Sequence, residues 1–140
     1  MAKKYWLIIA AALSIAVFLQ CSKSSSPSGP PSGSDPSFAG DIQPVFTGSC
    51  ATSSACHAAP GQQGLILSSG QAYSHLVNVG SAEVPALWRV RPAKTDSSYV
   101  VNKIEGTQTV GVRMPASGSA LSAATIQSIK TWITKGAKNN

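Results

Sequence analysis

Three cysteines in a chain of 140 residues limit what this sequence can become more than any other feature. An odd number calls for separate assignments when a chain enters an oxidising compartment. Two of them, Cys50 and Cys56, lie six positions apart, and His57 follows the second directly. The residues between them, Ala51-Thr52-Ser53-Ser54-Ala55, are all small, so the backbone can arch there at little steric cost. A fold of this chain has to accommodate two thiols in one short loop with an imidazole beside them. One reading is a Cys50–Cys56 disulfide that closes a small loop and leaves His57 at the surface. The other is that the three side chains share one bound group.

The third cysteine falls in a different kind of sequence. Met1 to Lys4 is a positively charged start, and Tyr5 to Leu19 is an uncharged apolar run that ends just before Cys21. That run has the length of a signal-peptide core and is short for a membrane span. Residues 1–20 are therefore expected to be an export signal. Cys21 sits where a bacterial lipoprotein places its lipidated first residue, with Phe18 at the Leu-like position, although Gln20 departs from the usual small residue. An uncleaved apolar anchor, or ordinary cleavage leaving a free thiol, are the alternatives. Residues 21–37 are rich in Ser, Gly and Pro and read as a flexible tether that cannot pack a core.

The remaining segment, 38–140, has room for one domain. Its clearest element is a C-terminal helix, with Leu121 and Ser122 offering a staple and an N-cap. Ile126, Ile129 and Ile133, with Trp132, form its apolar stripe. Lys130 and Lys135 suit the negative end of the helix dipole, and Gly136 is the stop. A second helix is expected over Ala39 to Thr47, where Pro44 is tolerable only in the first turn. Gln71 to Val79 and Ser97 to Ile104 read as two shorter helices, the latter through Tyr99, Val100, Lys103 and Ile104. The expected architecture is all-α, with about four short helices and long loops of the kind that wrap a ligand.

The shared-group reading of Cys50, Cys56 and His57 is covalent haem. Two thiols add across the haem vinyl groups, and the adjoining histidine ligates the iron as a neutral imidazole. The usual spacing has two residues between the cysteines, whereas here there are five. The haem fixes the separation of the sulfurs, so the extra residues must bulge outward, or Cys56 alone forms the thioether. A second signal is Arg113-Met114-Pro115, followed by Gly118. Met114 is the only methionine after the leader, and it lies in a Gly/Pro loop just before the last helix. A thioether held there suits a soft sixth ligand to iron, although gap filling is the commoner use of Met. His75 is the other candidate ligand.

The order of these pieces resembles class I c-type cytochromes, and within them a bacterial subgroup of small, often lipoprotein-borne monohaem domains. The matching residues are Asp41-Ile42-Gln43-Pro44-Val45-Phe46, Cys56-His57, Gly64 to Leu67, Tyr73 to Val77, Ser98 to Ile104, and Gly111 to Pro115. Ile126 to Ile129, Trp132-Ile133 and Gly136-Ala137 complete the set. The resemblance spans nearly all of the chain after Phe38. It implies a cytochrome c-like fold in which the helix before the cysteines packs across the last helix, with haem c between them and the loops. It also implies attachment through Cys50 and Cys56, iron ligation by His57 and Met114, and Trp88, Arg89 and Arg91 near the haem propionates. The implied role is electron transfer with periplasmic or membrane redox proteins, on a membrane-tethered domain of the cell envelope.

Composition narrows the remaining classes. Removing Lys3 and Lys4 leaves nine basic residues against five acidic ones, a balance of +4 with no basic run. This gives no footing for nucleic-acid binding. The acids Asp35, Asp41, Glu83, Asp96 and Glu105 show no clustering. No nucleophile elbow, phosphate loop or paired carboxylate is present, so the chain is not expected to be an enzyme. Two other functions fit the same residues: a haem-free exported lipoprotein binding module with a Cys50–Cys56 disulfide, and a haem enzyme or sensor with an open sixth site.

Overall fold

A computed structural model describes residues 34–140. The export signal, the lipidation site at Cys21 and most of the expected tether lie outside the described residues. Helix is the dominant regular structure of the described part, at 36%, with isolated bridges in place of any sheet.

A π-helical turn, Phe38–Ile42, runs directly into α1, Gln43–Ser49. The Ser37 hydroxyl caps this unit by accepting from the Gly40 amide at 3.0 Å. Pro44 falls in the first turn of α1, directly after the π-helical turn. Ile42 and Phe46 point into the core, as the expected helix over Ala39 to Thr47 requires. A single 3-10 turn, Gln62–Gly64, follows the cysteine loop.

The helix expected over Gln71 to Val79 is confined to α2, Ala72–Leu76. Val77 is already extended and bridges Val90, and Asn78 adopts a left-handed φ of 58°. Pairing with the segment 88–90 outcompetes helix continuation there, and β-branched Val77 fits that choice. The third helix, α3, is Tyr99–Glu105. Ser98 stands just outside it, because its hydroxyl donates to the Lys94 carbonyl at 2.6 Å and accepts the Arg91 amide at 2.9 Å.

The last helix, α4, is Ala123–Thr134 and matches its sequence pattern closely. The Ser122 hydroxyl accepts the Thr125 amide at 3.1 Å, and Gly136 takes a φ of 97° just beyond the helix. Ile129, Trp132 and Ile133 are fully buried. Lys130 pairs with Glu105 and Lys135 with Asp35, so both lysines reach acids outside the helix.

The core is organised by α4, which packs on α3 and on the π-helical turn. Trp132 lies 5.3 Å from Phe38, which in turn meets Tyr73 edge-on at 5.2 Å. Three polar ties close this aromatic group. Trp132 Nε1 donates to the Lys138 carbonyl at 2.8 Å, and Tyr73 Oη donates to the Ala137 carbonyl at 2.8 Å. The Ala39 amide donates to the Asn140 carbonyl at 2.8 Å. The domain thus includes its last residues in its packing.

Trp132 is 1% exposed, so Trp132→Ala opens a large void in this group. The expected cost is about 3–5 kcal/mol. It should appear as a lower urea midpoint with an unchanged denaturant slope.

Candidate functional site

The cysteine loop begins where α1 ends. Cys50 is the residue after the helix, and its amide donates to the Phe46 carbonyl at 2.9 Å. The loop closes when the His57 amide donates back to the Cys50 carbonyl at 3.0 Å. Between these points Thr52 to Ala55 are exposed, so the surplus residues arch into solvent as their small size allows. Cys50 is buried and Cys56 partly buried, and both are free thiols. No disulfide closes this loop.

His57 is fixed from two directions by the segment Leu65 to Leu67. Its Nδ1 lies 3.1 Å from the Leu65 carbonyl, and its own carbonyl accepts the Leu67 amide at 2.7 Å. A carbonyl only accepts, so Nδ1 carries a proton, and the tautomer compatible with this contact is the one whose Nε2 can serve as a ligand. Gln43, buried on α1, donates to the Leu67 carbonyl at 3.0 Å and ties this segment to the helix. Gly61, at φ 78°, permits the approach, since a Cβ there would run into the Leu65 carbonyl.

These groups open onto a cavity of about 370 Å³. That volume falls within the range of small-molecule and cofactor sites. Its apolar wall includes Phe46, Leu65, Leu67, Leu76, Val100 and Ile104. Cys50, Cys56, His57 and Met114 all line it. Met114 reaches it from the loop before α4, where its amide donates to the Lys103 carbonyl of α3 at 2.9 Å. The fold therefore brings together the four residues that the sequence singles out, across a separation of 57 positions between His57 and Met114.

Other residues are placed differently. His75 does not line the cavity and lies with Nδ1 3.2 Å from the Gly64 carbonyl. Trp88 and Arg91 also lie off the cavity, with the Arg91 guanidinium 5.6 Å from the Trp88 ring centre. Arg89 does line it, and spends three donors on the carbonyls of Gln63, Gly64 and His75 at 2.7, 3.2 and 2.7 Å. Partial burial lowers its affinity for the proton. In this arrangement Arg89 clamps the 3-10 turn to the end of α2. Its distance from those carbonyls in sequence hides that role.

Sequence patterning also misses the polar rim made by Glu83, Tyr99 and Lys103, all of which line the cavity. One signal was present: Lys103 lies on the apolar stripe of a predicted helix, and a charge on such a stripe needs a partner.

The two thiols differ electrostatically. Burial, and then the nearby Cys56, push the Cys50 thiol up to about 11. Hydrogen bonds from Ser53 and then Thr52 hold Cys56 below the usual thiol range. The Ser53 and Thr52 hydroxyls lie 3.5 and 3.6 Å from its sulfur. Among the described residues, no three His, Cys, Asp or Glu side chains cluster as a direct metal site. No protein-family model matches the chain, and no curated protein or solved structure is significantly similar to it.

Thiolates are the reactive form, so the unmodified folded chain should alkylate at Cys56 first. At pH 8 a thiol titrating near 11 is ionised to about one part in a thousand. Iodoacetamide labelling followed by peptide mass analysis should show Cys50 reacting only as the pH rises toward that value, or on unfolding. Equal rates at pH 8 would contradict the assigned environments.

Proposed function

We propose that this chain is a monohaem c-type cytochrome that passes single electrons in the bacterial cell envelope. One observation carries the reading: Cys50, Cys56, His57 and Met114 line a single apolar-walled cavity. The donor set fits the group. Two free thiols are available for thioether links, a neutral imidazole presents Nε2, and a thioether sulfur offers a second, softer ligand. In this reading Cys50 and Cys56 hold the porphyrin, and His57 and Met114 hold its iron. When bound, haem supplies an iron that alternates between the ferrous and ferric states.

The residues of the chain have distinct tasks around that centre. The Leu65 carbonyl orients the His57 ring through Nδ1–H. The Lys103 carbonyl fixes the backbone at Met114. The wall from Phe46 to Ile104 would limit water around a bound group and disfavour extra positive charge on it, which would raise its potential. With both His57 and Met114 engaged on the group, no ligand position would remain for a substrate, and the chain would serve as a carrier and not a catalyst. The helical domain then has a cytochrome c-like arrangement, with the cavity between α1, α3 and the loops that α4 supports.

The N-terminal sequence completes the reading. An export signal, a lipid on Cys21 and a Ser/Gly/Pro tether would hold the domain at a bacterial membrane, facing the periplasm or the exterior. Among the described residues no helix is long and apolar enough to cross a membrane. A tether raises the effective concentration of the domain toward redox proteins on the same surface.

The test is mass analysis of the mature protein from a host that makes c-type cytochromes. A haem adduct is expected on the peptide containing Cys50 and Cys56. Met114→Ala should keep the adduct, lose the far-red sulfur-to-iron band of the oxidised protein and lower the potential. A colourless product whose peptide is two hydrogens lighter would overturn the reading in favour of a disulfide module. A coloured protein without the far-red band would remove Met114 as ligand and point to an open sixth site.

A further inference from the structure

The loop that carries Met114 is held by one residue at two levels. Lys103 is buried at 9% exposure although it is a lysine. Its ammonium pairs with Glu83 from the loop after α2. It also donates to the carbonyls of Val110 and Val112, at 3.1 and 3.4 Å. These three acceptors match its three N–H donors. Its backbone carbonyl accepts the Met114 amide at 2.9 Å. Tyr99, one helical turn earlier, adds a second donor to the Val110 carbonyl at 2.7 Å and places its ring 5.3 Å from the Lys103 ammonium.

Gly111 supports the same conclusion independently. It adopts a φ of 69°, and a Cβ built on it would stand 2.6 Å from Lys103 Nζ and 2.8 Å from Glu83 Oε1. The loop comes so close to the ion pair that a side chain between the two carbonyls Lys103 binds would force the pair to shift, at a φ that favours glycine. The outer faces of the same loop are poorly packed, with Val110 44% and Val112 59% exposed. Apolar burial therefore contributes little at Val110 and Val112, and there the polar grip on the backbone decides the position of the loop, while Pro115 beyond Met114 is buried. A buried ion pair gains specificity of geometry more readily than net stability.

We infer that Lys103, neutralised by Glu83, is the positioning residue that sets where Met114 stands against the cavity. The inference rests on the reading of Met114 as an iron ligand, but the grip itself can be measured without haem. Lys103→Met keeps the length of the side chain and removes its charge and donors. Glu83→Gln/Lys103→Met avoids leaving a lone carboxylate, should the single variant fold poorly.

Amide hydrogen exchange in the full chain, expressed both with and without haem attachment, reads the loop directly. Both variants should speed exchange of the Met114 amide by about tenfold or more, as expected for loss of charge-assisted hydrogen bonds. Amides of Ile129, Trp132 and Ile133 in α4 should keep their rates. Lys103→Arg, which retains charge and donors, should restore most of the protection. In the haem-loaded protein the same variants should weaken the far-red band and lower the potential while the thioether adduct persists. Unchanged exchange at Met114, or equal acceleration throughout α4, would overturn the positioning role. A chain that takes up no haem yet shows the selective acceleration would keep Lys103 as the loop's anchor and remove the iron, which separates the two failures.

Discussion

Contact of Phe38 with Trp132, closed by Tyr73, is the interaction on which the geometry of this domain depends. Aromatic residues make up only 6% of the chain, and three of them meet here. Their union joins the turn that leads into α1 to the last helix and to the residues after it. Once that join is made, the direction of α1 is set, and Phe46 and Cys50 come to the cavity edge as its last inward residues. Edge-on and tilted ring packing is directional, so the join fixes orientation as well as proximity.

Beyond that join, the domain is held by side chains that bind backbone carbonyls. Gln43 holds Leu67, Arg89 holds Gln63, Gly64 and His75, Ser98 holds Lys94, and Tyr99 and Lys103 hold Val110. With no sheet among the described residues, long loops have few partners for their peptide groups, and buried peptide groups must be satisfied. Polar side chains take over the work that a strand neighbour does elsewhere. The cavity walls are therefore loops fixed at a few points. The same points orient His57 and Met114.

The helices were legible where local chemistry decides them. The stripe of α4, its Ser122 cap and Gly136 all acted as the sequence suggests, and Pro44 took the one turn that tolerates it. The helix read over Gln71 to Val79 was cut short because Val77 found a partner in Val90, a contact invisible to any local window. Cys50, Cys56, His57 and Met114, which the sequence singles out by chemistry and order, come to line one cavity. The resemblance named Arg89, which does line the cavity, but its clamp on the Gln63, Gly64 and His75 carbonyls and the grip of Lys103 on its own loop were not legible, because both depend on tertiary approach. Trp88 and Arg91, placed at the site by resemblance, and His75, a candidate ligand by residue type, lie outside the cavity lining. Analogy of order locates segments, but not the direction each side chain takes.

The closure of the cysteine loop separates two lengths that are usually counted as one. The chord of the loop is set by the hydrogen bond from the His57 amide to the Cys50 carbonyl. The arc is the exposed run from Thr52 to Ala55, which lies outside that hydrogen bond and is tied to Cys56 through Ser53. Lengthening an arc costs closure entropy that grows only logarithmically with residue number. The chord therefore does not depend on how many small residues span it. For chains of this kind, the residue count between two thiols is a poor guide to their separation in space. What the backbone preserves is the direct succession of the second cysteine and the histidine.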